Sequence, residues 1–135
     1  MDIQRAGGTF TVVEFIPLET PPIEISTAMT VGVARIEKSF SGSVAGRSTA
    51  IFTGAQDTDT RAGSYVALEV FDGSVDGRAG TLIFAHAAST HGDDRYGEVF
   101  VIIDASGTGE LAGISGQISY AHDESGARVE LTLKP

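Results

Sequence analysis

The sequence predicts an all-β protein, a closed eight-stranded antiparallel up-and-down barrel, and three observations carry that prediction. Apolar and polar residues alternate in runs of about seven to ten positions, the period of a half-buried strand. The runs are separated by short stretches of Gly, Asp and Ser, the residues that close hairpins. No stretch reads convincingly as a long helix. Consecutive strands with hairpin-length links form a meander, and closing it removes the edges that an open sheet would expose. A two-sheet sandwich is the alternative architecture.

The first strand spans residues 8–16, and Pro17, Pro21 and Pro22 mark its exit into an ordered linker. Strands follow at 29–40 and 47–56, joined by the Gly-rich loop 41–46. The loop at 57–63 is polar, and a fourth strand runs over 64–71. The fifth covers 80–87 and the sixth 96–103, with a polar, mobile loop expected between them at 88–95. The last two, 116–122 and 128–133, flank a hairpin loop at 123–126.

Composition sets outer limits. At 135 residues the chain fits one β-barrel domain, residues 1–135, and its 41% hydrophobic content is enough for one sizeable core. With no cysteine there is no disulfide framework, thiolate metal site or thiol nucleophile. A net charge of -9 repels nucleic acid and anionic membrane surfaces, so neither is expected as a partner. No apolar run reaches the roughly 20 residues that span a bilayer, and the first residues carry no apolar leader core. A cytoplasmic protein is expected.

Four separated blocks carry a family resemblance: Lys38-Ser-Phe-Ser-Gly42, Glu69-Val-Phe-Asp-Gly73, Gly77-Arg-Ala-Gly80 with His86, and Ser106-Gly-Thr-Gly-Glu-Leu-Ala-Gly113. Together they resemble a bacterial family of unknown function, DUF 3224, from about Gly8 to the C-terminus, with the spacing between blocks preserved. The resemblance implies a small closed antiparallel barrel similar to that of allene oxide cyclase and loosely to lipocalins. Related barrels include cyclases of fatty-acid-derived epoxides and of polyketides, a likeness of fold rather than of chemistry.

Alternation assigns a lumenal set, strand by strand. On the first two strands it comprises Phe10, Val12, Glu14 and Ile16, then Ala34, Ile36, Lys38 and Phe40. The third and fourth give Ser48, Ala50, Phe52, Gly54 and Gln56, then Tyr65, Ala67, Glu69 and Phe71. The fifth and sixth give Leu82, Phe84 and His86, then Glu98, Phe100 and Ile102. The last two give Ile118, Tyr120 and His122, then Val129, Leu131 and Leu133. Phe52, Tyr65, Phe84, Phe100 and Tyr120 make an aromatic lining for an apolar ligand, with Lys38 to orient it. Small residues on the central strands leave room for one compact molecule, although a barrel of this size can also fill itself with its own side chains.

Charged groups in such a lumen must pair, shift their pKa or meet water. Lys38 and Glu69 are expected to form an internal ion pair across Ser48, Ala50 and Phe52. Glu98 stands where the resembling family has a small residue. It either forms a carboxylate–imidazole couple with His86, able to exchange protons near neutral pH, or lies solvated at the barrel mouth with His86 as a hydrogen-bonded wall residue. Glu98, His86 and Glu69 are the candidate catalytic residues.

Other motifs carry less. His91-Gly-Asp-Asp94 has no second histidine at ligand spacing, and Asp57-Thr-Asp-Thr60 lacks the glycine and glutamate of a calcium loop, so no metal is expected. Gly107-Thr-Gly109 precedes no helix and no lysine, and no serine sits in a nucleophile elbow. Arg78, on a tight turn, is expected to hold Asp72 or Asp76.

The functional reading is a barrel that binds an apolar small molecule, as a cofactor-independent isomerase or cyclase using acid–base residues in its lumen. The alternatives are a non-catalytic binding barrel and a filled, self-associating one. Outward Val31, Val33, Ile51, Val66, Leu68, Val70, Val99 and Val101 predict a homo-oligomer, a dimer or trimer.

Overall fold

The computed structural model describes residues 4–123 and 126–134, and its eight antiparallel strands close in chain order into a barrel. These are β1 (Gln4–Leu18), β2 (Val31–Gly42), β3 (Val44–Gln56), β4 (Gly63–Val75), β5 (Arg78–His91), β6 (Asp94–Ile102), β7 (Ser115–Asp123) and β8 (Gly126–Lys134). One turn of 3₁₀ helix, Gly109–Leu111, lies between β6 and β7. Every expected strand is present, the sandwich alternative is excluded, and no helix is long and apolar enough to cross a membrane among the described residues.

At the tight hairpins the strands outrun their expected ends, because these turns are shorter than the Gly-rich stretches suggest. Only Ser43 separates β2 from β3. Asp76 and Gly77 close β4–β5 with φ of 50° and 80°, the two positive values of a type I′ turn. Gly92 and Asp93 close β5–β6, so the expected mobile loop at 88–95 is mostly paired strand. Arg78 does not hold Asp72 or Asp76: its Nη2 donates to Gln4 Oε1 at 2.9 Å. Glu124 and Ser125 of the last hairpin loop lie outside the described residues.

Alternation places the lumenal face correctly on β2 to β5, where Ala34, Lys38, Phe40, Ser48, Ala50, Ala67, Glu69, Phe71, Leu82, Phe84 and His86 are all buried. It fails at two bulges. In β1 the register slips between Val12, opposite Lys38, and Glu14, opposite Glu37. Glu14 and Ile16 therefore leave the lumenal face, and Phe15, opposite Ile36, enters it. In β6 an irregularity between Tyr96 and Val99 is built on Gly97 at φ 62°, and Glu98 is exposed. Gln56 and His122, at the ends of β3 and β7, are exposed as well.

The two ends of the barrel differ. Around the starts of β3 and β5 and the ends of β4 and β8, Val44, Phe71, Val75, Leu82, Leu131 and Leu133 pack with Leu111 from the 3₁₀ turn and Ile114 into a sealed core. At the opposite end the seams loosen. β6 and β7 pair only through Val101–Gln117 and Ile102–Gly116, and β1 leaves β8 after Phe10.

Candidate functional site

Glu69 lies midway along β4, opposite Ala50 on β3 and Phe84 on β5, with its side chain fully buried. A carboxylate in such a place needs donors on both oxygens. Lys38 Nζ donates to Oε1 at 3.2 Å and Tyr120 OH to the same oxygen at 2.7 Å, while Ser48 Oγ donates to Oε2 at 2.5 Å. His86, diagonal to Glu69 on the neighbouring strand, places Nε2 3.0 Å from Oε1. The imidazole continues outward, since Nδ1 lies 2.9 Å from Tyr65 OH.

The network assigns protons. An ionised Glu69 only accepts, so Nε2 carries a hydrogen and donates it. Nδ1 then accepts from the Tyr65 hydroxyl in neutral His86, and donates to the Tyr65 oxygen in the imidazolium. Burial pushes the Glu69 pKa up, but the His86 hydrogen bond, the Lys38 charge, Ser48 and Tyr120 outweigh it and hold the carboxyl at about 2. Tyr120 moves the other way, because burial and the adjacent Glu69 charge keep its phenol protonated. Burial also raises Tyr65, against the opposing pull of Arg95.

Aromatic rings hold this line in place. Phe100 stacks on His86 at 5.6 Å between centroids, and Tyr120 meets the imidazole edge-on at 5.4 Å. Lys38 Nζ lies 4.4 Å from the Tyr120 ring centroid and 5.0 Å from that of Phe10, so its charge is spread over two π faces as well as Glu69. Tyr65 stacks on Phe52 at 5.3 Å. Beyond that stack the open end holds a cavity of about 460 Å³ lined by Phe15, Phe52, Gly54, Tyr65, Ala88 and Arg95 among others.

The expected site is therefore partly assembled and partly rearranged. Lys38, Glu69, His86, Tyr65 and Tyr120 come together in one network. Glu98 does not join it: its carboxylate is 3.8 Å from Arg95 Nε at the exposed rim, and the partner of His86 is Glu69. Phe52 and Tyr65 line the cavity, whereas Phe84 is wholly inside the sealed core and Phe100 and Tyr120 pack around His86. Sequence reasoning missed three participants. Ser48 was on the lumenal face but counted only as small; Phe15 was hidden by the β1 bulge; Arg95 sat in what read as a loop. Among the described residues no group of three or more His, Asp or Glu side chains is placed to hold a metal.

Comparison with known proteins agrees on the fold. The family model described as "Protein of unknown function (DUF3224)" matches residues 6–134. A crystal structure of a protein of unknown function from the DUF3224 family of Shewanella oneidensis MR-1 is similar over 99% of each chain, with a TM-score of 0.86 and 22% identity. At that identity the likeness concerns the fold alone. No curated protein matches the chain.

Proposed function

The chain belongs to the DUF3224 family, whose function is unknown, and from that premise we propose that it takes an apolar small molecule into its open end and moves a proton on it without a cofactor. The supporting observation is the hydrogen-bonded line from Tyr65 at the cavity through His86 to buried Glu69. It has the order carboxylate, imidazole, hydroxyl, with a phenol at the reacting end. As Tyr65 passes its proton to Nδ1, its oxygen takes one from the substrate, and Glu69 stabilises the imidazolium formed. Returning the proton to another atom of the same molecule completes an isomerisation or ring closure with no net oxidation. The stacked Phe52 and Tyr65 rings hold a flexible substrate in one reactive shape.

A second reading, a binding barrel without turnover, draws support from Lys38, whose ammonium already balances Glu69 at 3.2 Å. One experiment separates the two. A ligand retained by protein from its own host is identified by native mass spectrometry and incubated with the protein in D₂O. Deuterium incorporation or rearrangement that disappears in Tyr65→Phe and His86→Gln, with affinity held within about tenfold, is the outcome expected of an enzyme. A ligand that binds and never changes leaves only the carrier. No ligand at all sinks both.

Self-association belongs to the same proposal. Ile51 on β3, Val66, Leu68 and Val70 on β4 and Val99 on β6 are each about half exposed, and the pairs Ile51–Leu68, Val66–Ala87 and Ala87–Val99 join them into one patch across β5. Sedimentation is expected to find a dimer or trimer, and a purely monomeric species counts against it. A cytoplasmic setting is proposed with it, since a chain without cysteine needs no oxidising compartment, and cell fractionation tests this.

A further inference from the structure

We propose that the open-end cavity is selective for apolar molecules bearing one carboxylate, and that Arg95 is the residue that selects them. This rests on reading that cavity as the ligand site.

Three observations converge on Arg95. It is the one charged residue in a lining otherwise made of aromatic, small and neutral polar side chains. In a chain of 9 cationic and 18 acidic side chains, a lone cation at the cavity is set against the overall charge. Its guanidinium is also underused. Among the described residues it makes one hydrogen bond, Nη2 to Tyr65 OH at a long 3.4 Å, and one ion pair, Nε to Glu98 at 3.8 Å. A guanidinium has five N–H donors in a fork that fits a carboxylate, so most of that capacity is open.

Its surroundings point the fork at the cavity. The guanidinium carbon lies 6.0 Å from the Tyr65 ring centroid and 5.6 Å from that of Phe100, within cation–π reach of both rings of the aromatic wall. Arg61, just before β4, is occupied differently: its Nη2 donates to Asp93 Oδ1 at 2.9 Å, and it does not line the cavity. A ligand with an apolar body over Phe52 and Tyr65 would meet Arg95 with its anionic end, beside the hydroxyl that ends the proton line. Glu98 competes for the same fork, so it weakens binding and keeps the site selective for groups that bind Arg95 better than a 3.8 Å contact does.

The test uses a matched probe pair, 2-naphthoate and neutral 2-naphthalenemethanol, titrated by isothermal calorimetry or ligand fluorescence into the full chain. The native protein is expected to bind the carboxylate about tenfold more tightly than the alcohol, the size of one charge-assisted hydrogen bond at a half-exposed site. Arg95→Gln is expected to erase that preference while leaving alcohol binding unchanged, Arg61→Gln to keep it, and Glu98→Gln to enlarge it by about two- to threefold. Thermal melts confirm that each variant is folded. Equal binding of both probes by the native protein overturns the selectivity and leaves the cavity standing as a ligand site. If neither probe binds, the cavity reading falls and this inference with it. A preference that survives in Arg95→Gln removes the residue assignment.

Discussion

The sealed and open ends of this barrel are made from the same strands, yet they solve opposite problems. At the sealed end Val44, Phe84, Leu111 and Leu131 are wholly buried, and the 3₁₀ turn adds a plug where a barrel mouth would be. At the open end Phe52 and Tyr65 are only partly buried beside a cavity of about 460 Å³, and the β6–β7 seam has lost most of its ladder. Close packing makes the first end a source of stability. The second forgoes that packing and keeps space, hydroxyls and a cation. Glu69 lies between the two regimes, buried like the core and bonded like the site. The polar network therefore belongs to both ends, and its loss tests how far they are coupled.

The sharpest break is Glu69→Ala. It strands Lys38 and leaves the donors of Ser48, His86 and Tyr120 unmatched, and it is expected to cost about 3–5 kcal/mol by urea unfolding. A cost below about 1 kcal/mol would show that the network carries little weight in the fold. Leu131→Ala, wholly within the sealed end, is expected to cost about 2–5 kcal/mol through the cavity it leaves, whereas Phe52→Ala at the open end should cost clearly less in the same assay. Equal losses at the two sites would erase the contrast between the ends.

Acid probes the same carboxylate without mutation. The folded pKa of Glu69, about 2, lies below its ordinary 4.5, so the unfolded chain binds the proton more readily. The stabilisation is fully present above about pH 5 and is lost as pH falls toward 2, a change on the order of 3 kcal/mol. Unfolding curves across that range should show the loss in the native protein and lack it in Glu69→Gln. The smallest stability effect is expected at Tyr65→Phe, within about 1 kcal/mol, because one partly buried hydroxyl is removed. Any turnover should nevertheless vanish in that variant. Gly54→Val blocks the cavity instead: a Cβ there meets the Phe52 ring at 2.8 Å, so binding should fail while the sealed end stays intact.

Much of the molecule is legible from residue order because strand faces follow a period of two. That period put Lys38, Glu69 and His86 on one interior, and the small residues between them foretold that Lys38 and Glu69 could meet. It could not show that Val13 and Gly97 sit at irregularities, because a bulge is one extra residue with no mark in the alternation except parity downstream. Glu14 was lost from the lumen that way and Phe15 gained; Glu98 went to the rim and left Glu69 as the partner of His86.

Local chemistry alone determined that this chain is built of strands joined by short turns, with Lys38 and Glu69 on inward faces. Turn residues and alternation are short-range signals, written within a few positions of where they act. Which histidine meets which carboxylate, which end stays open, and that Arg95 faces the space were decided only by strand register and barrel closure. Those bring residues 30 positions apart, such as Tyr65 and Arg95, to one cavity wall, and no local pattern records such distances.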